Sequence, residues 1–330
     1  MFKNVKAPGR RSKRANIYAV ILVGGKGKRL EPISVDTYPK AFLPITKSDE
    51  TMFKKTLDRI RRFVPPDRII VVANKHHAKL VKKDFPGIER KNLILEPVAR
   101  NTAPAIALAA SVVEKRSAGA IMLVLPSDHY IIGEDKYIDC LRKGSDFIKS
   151  CRLEDPLLVI GIKPHFPATG FGYIKLKGVG RKAAAKDIYE VERFVEKPDL
   201  ERAKIFVADR HYMWNSGVFI FKASTILKAV EIFAPAVYDA IKRIGAVKID
   251  KLYKEVPNIS IDYAVMERSG SIYCVKAGYG WRDMGNLNIL REVLEAELKD
   301  LKEKEYVGKH AVKKPMSMRI LERLHEIIRE

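Results

Sequence analysis

Cysteine is scarce, with three residues in a chain of 330. Cys140, Cys151 and Cys274 form no CxxC pair and show no metal-ligand spacing, and their odd number argues against a disulfide framework, so a reducing cytoplasm is the expected compartment. Long apolar runs are missing too. Residues 105–113 are apolar but far too few to span a bilayer, and the basic N-terminus is not followed by the apolar core and cleavage site of a signal peptide. The expectation is a soluble chain with no membrane partner. No hexapeptide or other internal repeat marks a solenoid, and no aromatic RNA-reading motif is visible. Acidic residues are under-represented: 40 Asp and Glu stand against 62 Lys and Arg, a formal charge of +22. That excess calls for anionic partners, whether nucleic acid, a membrane surface or phosphorylated small molecules.

The material for a core is present. Hydrophobic residues make up 47% and charged residues 31%, which excludes intrinsic disorder and suits one large α/β domain with an appendage. The first 16 residues carry Lys3, Lys6, Arg10, Arg11, Lys13 and Arg14 and no acid, while the last 40 are nearly balanced, so fifteen of the 22 excess charges lie in the body of the chain. The basic arm reads as a solvated terminus.

Buried parallel strands announce themselves as continuous β-branched runs. The run 17–23 (IYAVILV), stopped by Gly24-Gly25, is one, and the pattern returns at 68–73, 121–125 and 157–160. Amphipathic stretches at 51–63 and 104–115 alternate with these strands, which predicts a doubly wound α/β sheet. Asn101-Thr102 followed by Ala103-Pro104 reads as a capped helix start. Beyond about residue 165 the segments shorten, at 173–176, 188–194 and 218–221, as expected of an antiparallel or mixed half. Residues 287–330 read as helical, with a last helix at 318–328. The expected division is a basic arm at 1–16, one domain at 17–286 and a helical C-terminal extension at 287–330.

The first chemical motif is Gly24-Gly25-Lys26-Gly27-Lys28-Arg29, directly after the first strand. Glycines let backbone N–H groups approach a phosphate closely, and the basic side chains add charge. The dinucleotide fingerprint fails because Leu30 stands where its third glycine belongs, and no GxxxxGK[ST] spacing occurs. Pro39-Lys40-Ala41-Phe42-Leu43-Pro44 adds a second fixed cation downstream.

With these residues the chain resembles the sugar-nucleotide pyrophosphorylases, whose hallmark is GGxGxRLxPL followed by a PKxxLPI-like segment. The resemblance runs to about residue 290 in the family's order and is to the mannose-1-phosphate guanylyltransferase branch. It is carried by LEPVARNTAPAI (95–106), LPSDH (125–129), FVEKP (194–198), WNSGVF (214–219), SIDYAVME (260–267) and GWRDMG (280–285). It implies a Rossmann-like, GT-A-like nucleotidyltransferase fold with a mixed sheet. The implied reaction is transfer of GMP from GTP to mannose 1-phosphate, giving GDP-mannose and pyrophosphate, with Mg2+ as cofactor.

The resemblance also implies roles. Gly24, Gly25 and Gly27 would offer backbone donors to the triphosphate, flanked by Leu22 and Lys28. Arg29 and Lys40 would neutralise the leaving pyrophosphate, and Lys197 would hold the attacking phosphate, which is ionised at neutral pH and needs no base. Asp128 and Asp283 would hold the metal through hard oxygen ligands. Guanine would be read around Glu96, with Arg100, Asn101 and Thr102 close to base, ribose or phosphate. Gly172, Tyr173, Glu196 and Asn215 would meet the sugar. Trp214, Trp281 and His129 read as packing residues. Departures are few: Lys28, Glu31, Ala41 and Leu287 stand where the family more often has Thr, Trp, Gln and Trp. Lys28 and Glu31 flank the triphosphate loop and bear on nucleotide choice. The isomerase domain of longer bifunctional relatives does not follow Asp283, so no isomerase activity is expected. Another NTP or hexose 1-phosphate is the nearest alternative. A catalytically silent regulator or nucleic-acid-binding protein is the alternative from another class; with small phosphorylated partners sufficient, nucleic acid is not required. Homo-oligomerisation stays open.

Overall fold

The structure is a computed structural model, and it describes residues 16–25, 28–46, 48–177, 187–244, 247–305 and 315–329. Gly27 and the basic arm through residue 15 lie outside the described residues, as does the Lys28 side chain.

The first half alternates as its periodicity requires. Strands β1 (Ile17–Val23), β2 (Ile69–Asn74), β3 (Leu93–Glu96) and β4 (Ile121–Pro126) lie parallel in the order β3-β2-β1-β4. Helices α1 (Met52–Arg61), α2 (Ala78–Asp84) and α3 (Thr102–Arg116) connect them. The two faces of the sheet bury separate clusters, one with Phe53, Leu57 and Val81 and the other with the alanine-rich side of α3. Strands buried on both faces have no polar side to show, which is why they read as unbroken apolar runs.

The second half is β5 (His129–Ile132), α4 (Glu134–Ser150), β6 (Leu157–Ile162), β7 (Tyr173–Leu176), β8 (Ile188–Val195), α5 (Leu200–Ala208), β9 (Tyr212–Lys222), α6 (Ala223–Phe233), α7 (Pro235–Lys242), α8 (Ile249–Glu255), β10 (Ile272–Lys276) and β11 (Gly280–Asp283). Antiparallel pairing of β9 with β4 extends the sheet to nine strands, β3-β2-β1-β4-β9-β6-β10-β8-β7. Strand β7 pairs with both β8 and β9, so the last five strands close into a ring. β9 is longer than its apolar stretch 218–221 suggests. It begins at Tyr212, and its pairing with β6 is irregular between Val159 and Gly161, where Ser216 to Val218 pass between the partners Asn215 and Phe219. Such a bulge re-aims a side chain without ending the strand, which is why Asn215-Ser216-Gly217 reads as a loop in the sequence.

Helices α9 (Leu287–Glu305) and α10 (Met316–Arg329) follow β11. They do not stand apart. Leu290, Leu294, Leu298, Leu321 and Leu324 share a third buried cluster with Leu30, Leu43, Ile45, Met52 and Met284. Asp49 caps α10, accepting from the Met316 and Ser317 amides at 2.9 Å each.

Candidate active site at the sheet edge

Three parallel strands end at one edge, where open α/β sheets place their ligands. At the end of β1, half-buried Leu22 accepts from the Ser127 amide at 3.2 Å, tying this strand to the residue before Asp128. Gly24 and Gly25 follow, exposed, and Gly25 has φ of +96°, a backbone state that L side chains rarely adopt. Arg29 lies on the short 3-10 turn Lys28–Leu30 with its guanidinium exposed beside Gly170.

Lys40, on a second 3-10 turn, reaches between two carboxylates. Its Nζ pairs closely with Asp128 Oδ2 and stands 3.7 Å from Asp283 Oδ1. The spacing of Asp128 and Asp283 comes from the β5–β11 ribbon, in which Asp283 faces His129. Burial opposes the Lys40 charge, yet the two carboxylates outweigh it and hold the ammonium above the ordinary lysine range. Burial likewise works against the Asp128 carboxylate, and Lys40 more than offsets it, holding Asp128 below the usual range. Among the described residues no cluster of three or more His, Cys, Asp and Glu side chains is poised for a metal. The pair Asp128 and Asp283, already gathered around one cation, supplies hard oxygen donors that fit a divalent ion completed by phosphate and water.

At the end of β3 lies Glu96. Burial lifts its pKa to about 7, partly offset by the Tyr253 hydroxyl, and its Oε1 is buried with no hydrogen-bond partner among the described residues. Arg100 does not point into open space. Its guanidinium donates to the carbonyls of Tyr253 at 2.8 Å and Lys254 at 2.5 Å, fastening the loop after β3 to the end of α8. Asn101 caps α3 by accepting from the Thr102 amide at 2.9 Å, and Thr102 Oγ1 accepts from the Ile261 amide at 2.8 Å.

The third group gathers on the ring of strands. Glu196 is nearly buried, and Lys197, with φ of +44°, folds back to donate to its Oε1 at 2.7 Å. A β-carbon on Gly172 would stand 2.5 Å from Glu196 Oε2, so glycine is what lets the carboxylate lie against that backbone. Gly172 O accepts from the Asn215 amide at 2.8 Å. Asn215 Nδ2 donates to Asp262 Oδ1 at 3.0 Å, and the Glu196 amide donates to Glu267 Oε1 at 2.8 Å. Asp262 and Glu267 belong to SIDYAVME but were given no role from sequence; only the structure brings them beside Glu196. Tyr173 is fully buried with its ring against Phe206, so what it can offer a ligand is backbone. This group abuts the first: a β-carbon on Gly217 would stand 3.4 Å from Pro126 and 4.0 Å from His129. Trp214 and Trp281 are buried in an aromatic cluster with Phe171, and His129 meets Trp281 edge-on at 5.4 Å. Two cavities of about 510 and 430 Å3, near α4 and at the mouth of the ring, are lined by none of the site residues.

A glycine loop after β1, Lys40 beside it, Asp128 just after β4 and Asp283 at the end of β11 define an α/β protein with charged groups gathered at the carboxyl edge of its sheet, where such folds place ligands. The chain belongs to the nucleotidyl transferase family, whose model matches residues 18–300. It is 36% identical over 293 residues to the mannose-1-phosphate guanylyltransferase of Escherichia coli K12, covering 85% of this chain and 60% of that protein. It is 38% identical to the xanthan biosynthesis protein XanB of Xanthomonas campestris, covering 86% and 60%. The chain thus spans about 60% of the length of these curated relatives. A crystal structure from Thermus thermophilus, described as a mannose-1-phosphate geranyltransferase, superposes with a TM-score of 0.76 at 32% identity, covering 84% of this chain and 79% of that one. A Helicobacter pylori protein described as a mannose-6-phosphate isomerase superposes at 0.66 with 26% identity, covering 81% and 100%. Among the described residues no helix is long and apolar enough to cross a membrane.

Proposed function

We propose that the protein transfers GMP from GTP to mannose 1-phosphate, giving GDP-mannose and pyrophosphate. The observation that carries this reading is Lys40 held between Asp128 and Asp283, next to a bulge that presents Asn215 and the Glu196–Lys197 pair. The names of the relatives support the choice of GTP and mannose 1-phosphate.

In this reading the sugar phosphate attacks the α-phosphorus, the bond from that phosphorus to the bridging oxygen of the β-phosphate breaks, and pyrophosphate departs with the electron pair. The attacking oxygen is already ionised, so the protein's work is positioning and charge compensation. Gly24, Gly25 and Gly27 present backbone N–H groups to the triphosphate between Leu22 and Lys28. Arg29 and Lys40 offset the charge growing on the leaving group. Lys197 has three N–H donors and gives one to Glu196, which leaves two for the incoming phosphate. The orphaned Glu96 oxygen suits the N1 and N2 donors of guanine, while Arg100, Asn101 and Thr102 hold that loop in place. Gly172, Glu196, Asn215 and the Tyr173 backbone line the sugar end. Asp128 and Asp283 would hold Mg2+, which when bound neutralises phosphate charge. The three free cysteines suit a reducing cytoplasm.

Pyrophosphate release measured over a matrix of NTPs and hexose 1-phosphates tests the proposal. GTP with mannose 1-phosphate is expected to give the highest kcat/KM. A different best pair, or no release from any, overturns it.

A further inference from the structure

The segment 262–266 is a π-helix rather than a turn of α-helix. Its i→i+5 bond is made by the Glu267 amide to the Asp262 carbonyl at 2.9 Å. In an α-helix, residues five apart point roughly 140° away from each other. The wider turn brings Asp262 and Glu267 toward one side, and both act on the same neighbourhood. Glu267 holds the Glu196 backbone amide, and Asp262 holds the Asn215 side chain. Single π turns of this kind recur at functional sites.

We infer that this π turn positions the sugar-phosphate subsite, and that Asp262 works there in its protonated form, adding no further negative charge beside Glu196 and Lys197, so that Lys197 can receive the phosphate of a hexose 1-phosphate. The inference rests on the sugar-phosphate reading given above. With Asp262 neutral, two glutamates, Glu196 and Glu267, stand beside one ammonium. With Asp262 ionised a further carboxylate competes for Lys197 and repels the incoming dianion. Burial first, and then repulsion from Glu196, raise Asp262 to about 7, against the opposing pull of Lys197 and Asn215. The groups that face Asp262 come from several elements. The turn after β8 contributes Glu196 and Lys197, β9 contributes the neutral Asn215, and the π turn itself contributes Tyr263 and Glu267. Helix α3 offers only the Thr102 hydroxyl, to Ile261. On α6, Lys228 is engaged by Glu154 and Asp155 at 3.2 and 2.5 Å, and Glu231 is exposed.

Two measurements on the full chain test this. Carboxyl 13C NMR of wild type, assigned against Asp262→Asn, is expected to show Asp262 titrating near 7; titration in the ordinary aspartate range overturns the inference. Calorimetric binding of mannose 1-phosphate at about pH 6 and about pH 8.5 should show wild type weakening about tenfold. The ligand's own second ionisation, at about 6, acts in the opposite direction. Asp262→Asn mimics the protonated acid and should bind like wild type at the lower pH and change less than about twofold on raising it. Asp262→Ala, which removes the acceptor for Asn215, should bind weakly at both. Equal pH responses in wild type and Asp262→Asn, or no binding of the sugar phosphate at either pH, overturn the inference. Intact pH-dependent binding without GDP-mannose formation retains it and removes only the proposed reaction.

Discussion

Asp283 faces His129 across the β5–β11 ribbon, so one short ladder sets the distance between the Asp283 carboxylate and that of Asp128. Both act on the same cation, which makes them a unit rather than two independent groups. Asp128→Asn and Asp283→Asn are each expected to lower pyrophosphate release by about a hundredfold or more. The double variant should be little worse than either single one. Steady-state kinetics of the three proteins, beside thermal denaturation to show that the fold survives, check the expectation.

Gly172→Ala would bring a methyl group to 2.5 Å from the Glu196 carboxylate. The carboxylate must move, and Lys197 moves with it. KM for the sugar phosphate should rise about tenfold or more while KM for GTP changes little. Equal rises in both constants count against the placement of Gly172 at the sugar end.

Glu96 gives two pH effects of opposite sign. In the folded protein it keeps its proton up to about 7, against 4.5 for an ordinary glutamate. Its contribution to stability is therefore fully present below 4.5 and lost as pH rises through about 7. Binding runs the other way, because the ionised form accepts from guanine, so KM for GTP should fall across the same interval. Glu96→Gln should flatten both profiles. Urea midpoints and GTP kinetics from about pH 5 to about pH 8.5 read them separately.

Leu294 is fully buried on α9 in the cluster that also holds Leu30 and Leu43. Those two residues are the immediate or near neighbours of Arg29 and Lys40 in the chain. Leu294→Ala should cost about 2–5 kcal/mol in denaturant unfolding and lower kcat as well. A C-terminal helix pair that merely decorated the domain would show the first effect at most.

The outline of the fold was legible where one physical cause dominates. Strand β1 matches its run IYAVILV residue for residue, and 173–176 is found as β7, because a strand buried on both faces, or alternating in a short ring, leaves a direct mark on the sequence. The mark fails where tertiary pairing decides. β5 and β11 are four residues each and exist through one another. The start of β9 is hidden by the polar residues of its bulge. The site divides in the same way. Lys40, Asp128 and Asp283 come from motifs that the resemblance singles out, yet nothing local says that the lysine stands between the two acids. Asp262 stands in SIDYAVME with nothing local to show what it does, since a π turn has no compositional signature and its partners Glu196 and Asn215 are distant in the chain.

The closed ring bears on where a further strand could join the sheet. With β7 hydrogen-bonded on both sides, the large sheet has one margin left among the described residues, at β3. An unpaired margin is where a second chain would add itself strand by strand, and proteins blunt such margins with brevity, proline and cover. β3 has all three: it is four residues long, Pro97 follows it, and α8 packs against it with Arg100 fastened to the Tyr253 and Lys254 carbonyls. The loop proposed to read the base therefore also helps keep this margin short and covered.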